Sequence, residues 1–183
     1  FLCKRQIAAP TGRPLLGLNA GAEYGPAKRW PAERFAAAAV EIQKRTQCRW
    51  LIFGGEPDVT VSEEIAGRVN DTSPGAALNL AGQTTLRELC AGLKACRVVL
   101  TNDTGPMHLA AAVGTPVVVP FGSTSPELTG PGLPGDARHR LLNAHAPCSP
   151  CFLRKCPIDF RCMNGIEVER VVEAVVNAFQ PLG

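Results

Sequence analysis

Aromatic residues are scarce in this chain. Tryptophan, tyrosine and phenylalanine make up 5% of its 183 residues, and only one tyrosine is present. Proteins that hold single-stranded nucleic acid set stacking platforms in a basic groove. Here Lys and Arg form no cluster and the formal net charge is +3, so nucleic acid is not an expected partner. No apolar run approaches the roughly 20 residues that a membrane-spanning helix needs. The Gly-x-Gly-x-x-Gly dinucleotide signature and the Walker phosphate loop are both absent, which argues against hydride transfer and ATPase chemistry. There is no internal repeat and no long linker. The chain starts at Phe1 and its first residues lack the apolar core of a signal peptide. The expectation is a fragment of a longer cytoplasmic protein, its thiols in a reducing compartment where structural disulfides are rare.

What is present suits a soluble globular domain: 45% hydrophobic and 19% charged residues, at a length for which one domain, residues 1–183, is the default. Short β-branched runs alternate with helical patterns. Strands are expected at Leu15–Asn19, Arg49–Phe53, around Leu78–Leu80, at Arg97–Leu100, Pro116–Phe121 and Arg140–Leu142. Helices are expected from Pro31 to about Thr46, from about Val59 to Val69, from an N-cap within Thr84-Thr85-Leu86-Arg87-Glu88 to about Leu93, across Leu109–Val113, and from about Glu167 to Phe179. Such alternation predicts an α/β fold: a Rossmann-like, doubly wound, mostly parallel sheet with helices on both faces.

The most informative stretch is Thr101-Asn102-Asp103-Thr104-Gly105-Pro106-Met107-His108, wedged between a strand and a small-residue helix. In an open α/β sheet, ligands bind at the carboxyl ends of strands, and a helix start offers free N–H groups to an anion. Asn102, Asp103 or Thr104 can cap that helix, with Pro106 in its first turn, where no donor is needed. Gly105 lets backbone approach a ligand closely, and His108 shares a face with Thr104. A carboxylate repels phosphate, so Asp103 is expected to order loop amides or the helix start. Three more polar loops emerge at the same edge. The first carries Gly21 and the pair Lys28-Arg29, suited to a diphosphate. The second carries Glu56, placed to accept from ribose hydroxyls, and Asp58, placed to cap the next helix. The third carries Ser123 and Thr124, whose hydroxyls reach phosphate or sugar, or else stabilise turns.

Of the eight cysteines, Cys3, Cys48, Cys90 and Cys96 are scattered and read as packed or helix-borne hydrophobes. Cys148, Cys151, Cys156 and Cys162 are spaced C-x2-C-x4-C-x5-C. They could bind zinc or an iron–sulfur cluster, with His145 as a substitute ligand, could form disulfides, or could stay free.

On these motifs the chain resembles the carboxyl-terminal half of the bacterial lipopolysaccharide heptosyltransferases, nearest the heptosyltransferase II type. The matching residues are Gly21 to Pro31, Gly54-Gly55-Glu56, Asn102 to His108, Gly122 to Pro126, and the cysteine-rich tail ending in Cys162-Met163. The resemblance runs from about residue 14 to the end. It implies one half of a GT-B glycosyltransferase, the nucleotide-sugar domain, facing an amino-terminal acceptor domain absent from this fragment. It implies transfer of heptose from ADP-heptose to the lipopolysaccharide inner core with inversion and without a required cofactor or metal. The setting it implies is cytoplasmic, at the cytoplasmic face of the inner membrane, with peripheral contact to that membrane. By position, Lys28 matches the phosphate-stabilising lysine, Glu56 the ribose or adenosine contact, and Asp103, Thr104, Gly105 and His108 the diphosphate and sugar loop. The family's catalytic base maps to no residue here, so the isolated fragment is expected to be inactive. Two alternatives remain at this point: a nucleotide-sugar epimerase or hydrolase of similar fold, and a cysteine-rich metal or redox module.

Overall fold

The computed structural model describes residues 12–133 and 135–179; Cys3 lies outside them. Among the described residues six strands form one sheet: β1 (Leu15–Asn19), β2 (Arg49–Ile52), β3 (Ala77–Asn79), β4 (Val99–Thr101), β5 (Val117–Phe121) and β6 (Arg140–Asn143). Their order is β3-β2-β1-β4-β5-β6, and every neighbouring pair is parallel. The expected mostly parallel sheet is thus parallel throughout the described residues. This is the order of a dinucleotide-binding fold, in which the direction of winding reverses between β1 and β4.

Among the described residues seven helices accompany the strands: α1 (Ala32–Thr46), α2 (Val59–Thr72), α3 (Leu86–Ala95), α4 (Gly105–Ala112), α5 (Pro126–Thr129), α6 (Arg161–Asn164) and α7 (Val168–Phe179). Successive strand residues point to opposite faces, and both faces are covered. Leu16, Leu18, Trp50 and Ile52 join one apolar cluster with Phe35, Ile42, Ile65 and Val172, beneath α1, α2 and α7. Leu51, Phe53, Val117, Val119 and Phe121 join the other with Leu93, Met107 and Ala110, beneath α3 and α4. Burial on two sides explains why the strands read as continuous apolar runs.

Local chemistry sets several boundaries. Thr85 caps α3 in a reciprocal capping box with Glu88, as its sequence suggests. Pro31 sits at the N-cap of α1 rather than in its first turn. The strand at Arg49 ends at Ile52, one residue early, and α2 runs three residues past Val69. Two single 3-10 turns, Pro26–Lys28 and Glu56–Asp58, lie toward the ends of the loops that follow β1 and β2.

Candidate functional site

Two buried asparagines fix the rim where β1 and β4 end. Asn102, fully buried, accepts from the Trp30 N–H (3.0 Å) and donates to the carbonyls of Ala20 (2.7 Å) and Gly21 (3.4 Å). Asn19 donates to the Gly21 carbonyl (3.3 Å) and to Thr101 Oγ1 (3.4 Å). The loop after β1 is therefore tied to the loop after β4 by side-chain amides. In the sequence Asn102 reads as a helix cap and Asn19 as the end of a strand; the signal both offer is an amide at the carboxyl end of an apolar strand.

At the centre of the rim, Lys28 Nζ lies 2.7 Å from Asp103 Oδ2. Both are buried, at 9% and 3% exposure. The same carboxylate oxygen accepts from Thr124 Oγ1 (2.6 Å) and Thr129 Oγ1 (2.9 Å). Asp103 is expected to order loop amides or the helix start; instead it gathers one ammonium from the loop after β1 and two hydroxyls from the segment after β5. The reason is its burial, since a carboxylate away from water needs charge and donors close at hand. Lys28, Asp103 and Thr124, nominated separately, thus meet at one point.

Thr104 holds the N-cap position of α4, yet no side chain caps this helix, and Pro106 lies in its first turn. Among the described residues the Gly105 N–H has no partner, and space beside its Cα is open. The amino end of α4 thus keeps an unspent donor and its partial positive charge. In front of it lies a hollow of about 180 Å³, lined by Asn19, Gly21, Arg29, Gly55, Asp58, Thr104 and Pro106. A Cβ at Gly21 would come 2.3 Å from the Asp58 carboxylate, so any larger residue there would displace that side chain from the hollow.

Three expectations need correction or refinement. Asp58, expected to cap α2, makes no cap bond with its side chain; it accepts from the Gly55 N–H at 3.0 Å and lines the hollow. Glu56 does not line it: Glu56 Oε2 faces Gly82 in the loop after β3, where a Cβ would sit 2.6 Å away. Of the two acids on one 3-10 turn, the hollow receives the second. His108 is exposed on α4 and forms no hydrogen bond among the described residues. Ser123 is buried, with its Oγ unpartnered among them. A larger hollow of about 650 Å³ opens on the far side of Thr124, between Glu127, His145 and Arg170.

Among the described residues, no three His, Cys, Asp or Glu side chains converge to hold a metal ion. The Cys148, Cys151, Cys156 and Cys162 thiols are free, and His145 is an exposed wall residue. Backbone N–H groups, including that of Phe160 at 3.3 Å, hold the Cys156 thiol below its ordinary pKa. Burial pushes Cys162 up. Of the scattered thiols, Cys48 and Cys96 are buried and Cys90 half-buried. No helix among the described residues is long and apolar enough to cross a membrane.

The model for glycosyltransferase family 9 (heptosyltransferase) matches residues 2–160. The lipooligosaccharide heptosyltransferase 2 of Campylobacter jejuni subsp. jejuni is 34% identical over 168 residues, 91% of this chain and 51% of that protein. The lipopolysaccharide heptosyltransferase 2 of Escherichia coli K12 is 36% identical over 126 residues, covering 69% of this chain and 36% of the relative. The structure of the E. coli ADP-heptose lps heptosyltransferase II superposes with a TM-score of 0.79 at 30% identity, over 96% of this chain and 49% of that one. The chain therefore spans about half the length of the first of these relatives and of that solved structure.

Proposed function

The chain belongs to glycosyltransferase family 9, and from that premise we propose that it is the donor-binding half of a heptosyltransferase. In this reading the full protein is a GT-B enzyme that moves heptose from ADP-heptose to the lipopolysaccharide inner core, inverting the anomeric centre without a cofactor. The acceptor and the catalytic base belong to an amino-terminal domain, and the full enzyme works at the cytoplasmic face of the inner membrane in peripheral contact with it. The relatives' names support the sugar and the acceptor, and the geometry of the rim supports the donor site.

The observation that carries the reading is the meeting of Lys28, Asp103 and Thr124 beside the uncapped amino end of α4. When the bond from the heptose anomeric carbon to the β-phosphate oxygen breaks, negative charge collects on the departing ADP. Donors already in place lower that barrier, because they need no reorganisation. Lys28 can serve although it is paired. An ammonium has three N–H donors, and Asp103 keeps two hydroxyl donors of its own. One Lys28 proton holds Asp103 while the others face phosphate, and the Gly105 N–H adds a backbone donor. Gly21, Asp58, Arg29 and Thr104 shape the wall, and we propose Glu56, His108 and Ser123 as further donor contacts on the strength of the family resemblance. The hollow is smaller than the roughly 300–1,000 Å³ of ligand pockets, as suits one wall of a cleft closed by a second domain.

Two measurements test this. Calorimetric titration of the chain should show ADP binding in preference to UDP and GDP, with no heptose transfer. Preference for another base, or rapid transfer by this chain alone, contradicts the reading. In the full-length enzyme, Lys28→Ala should lower turnover by about 10² or more, the scale of losing one stabilising donor; unchanged turnover removes Lys28 from the chemistry.

A further inference from the structure

We infer that Tyr24 and Arg154 are positioning residues for Lys28, the cysteine-rich segment serving as the clasp that holds them; this rests on the donor reading above.

Residues 151–154 run as a strap across two of the rim loops. On one side, the N–H groups of Cys151 and Phe152 both donate to the Ser123 carbonyl, at 3.1 and 2.7 Å. On the other side three bonds seize the loop after β1. The Ala27 N–H donates to the Arg154 carbonyl (3.1 Å), Arg154 Nε donates to the Tyr24 carbonyl (2.6 Å), and Tyr24 Oη donates to the Phe152 carbonyl (2.7 Å). Strap and loop touch at Gly25, whose φ is +150° and whose Cβ would lie 2.5 Å from the Arg154 carbonyl oxygen. Only glycine fits there.

Held in this way, the lone tyrosine of the chain carries a cation on either flank. Lys28 Nζ is 4.8 Å from the ring centroid and Arg154 Cζ is 5.4 Å from it. A ring face attracts cations, so Tyr24 draws the lysine head inward from one side while Asp103 draws it from another. A lysine stem has several rotatable bonds, and ordering it before the ligand arrives removes that cost from binding. The strap thus acts on phosphate through Lys28, without touching the ligand itself.

Titrating this chain with ADP and with AMP separates positioning from general support. In the donor reading Lys28 serves the β-phosphate, which AMP lacks. Tyr24→Leu and Arg154→Ala should each weaken ADP binding about tenfold, the scale of a partly desolvated ring–cation contact, and leave AMP affinity within about twofold. Arg154→Lys, which keeps a cation on the ring, should recover most of the loss, and Tyr24→Phe, which keeps the ring, should lose about threefold or less. In a Lys28→Met background, Tyr24→Leu should cost ADP nothing further, because the coupling is then gone. Equal losses for ADP and AMP, or a full additional loss in the Lys28→Met background, overturn the positioning role while leaving the donor site standing. A parent chain that binds neither nucleotide overturns the donor reading instead. If the larger truncations do not fold, Arg154→Gln, which removes the cation but keeps a side-chain N–H for the Tyr24 carbonyl, replaces them: ADP binding should weaken while AMP affinity holds, and equal losses overturn the positioning role.

Discussion

Single residues at the rim have two duties, and stability measurements separate them. Lys28 neutralises a carboxylate that is 3% exposed, so Lys28→Met leaves Asp103 with hydroxyl donors alone. Removing one partner of a buried pair costs about 3 kcal/mol, and urea unfolding should show a loss of that order. Adding Asp103→Asn should restore most of it, since the uncompensated charge is then gone as well. A failure of the double variant to recover would mean that the pair stabilises through packing. The thiols give a pH prediction. Burial pushes Cys48 up to about 12 and Cys96 further, whereas an unfolded cysteine titrates near about 8.5. The folded chain thus retains protons that the unfolded chain gives up, and stability must fall as pH rises from that value toward 12. Urea midpoints at successive alkaline pH values should decline, and less steeply once Cys48 and Cys96 are both alanine. Lys28, Asp103 and Thr124 were each legible as polar residues after a strand. Their meeting was not, because no local pattern records which loops face each other across a sheet. The choice between Glu56 and Asp58 was equally hidden, since a three-residue turn has no period by which to tell an inward acid from an outward one.

Elements long enough to show a rhythm were read well from sequence. α1, α3 and α7 have amphipathic patterns of ten residues or more, and the parallel strands announce themselves as runs with apolar neighbours on both faces. α5 and α6, of four residues each, lie in a Pro/Gly-rich stretch and a cysteine loop and are too short to repeat. The same limit hid both 3-10 turns. α3 allows a clean test. Its capping box joins Thr85 to Glu88 through three hydrogen bonds, all on the exposed side. Thr85→Ala should cost about 1 kcal/mol, seen as a lowered thermal midpoint, and Thr85→Asp should retain nearly all of the stability. Equal losses in the two variants would show that the side chain does not act as a cap. α4 is the contrast: Thr104 sits at its cap position without a side-chain bond to the helix. Thr104→Ala should therefore change the thermal midpoint far less than Thr85→Ala, while weakening ADP binding if the open end of α4 receives phosphate.

At the scale of the whole molecule, β1 lies at the centre of the sheet, with β2 on one side and β4 on the other. Its second neighbour is distant in sequence: Asn19 reaches Thr101 across 82 positions. A ribosome that has just released β1 must therefore synthesise two further strands and three helices before that edge is covered. Until then the nascent chain presents an apolar strand with unpaired N–H and C=O groups, a template for pairing with a neighbour on the same polysome. The longer that edge waits, the more chains pair wrongly, so slowing translation of the segment between β1 and β4 should lower the soluble fraction, and speeding it should raise the soluble fraction.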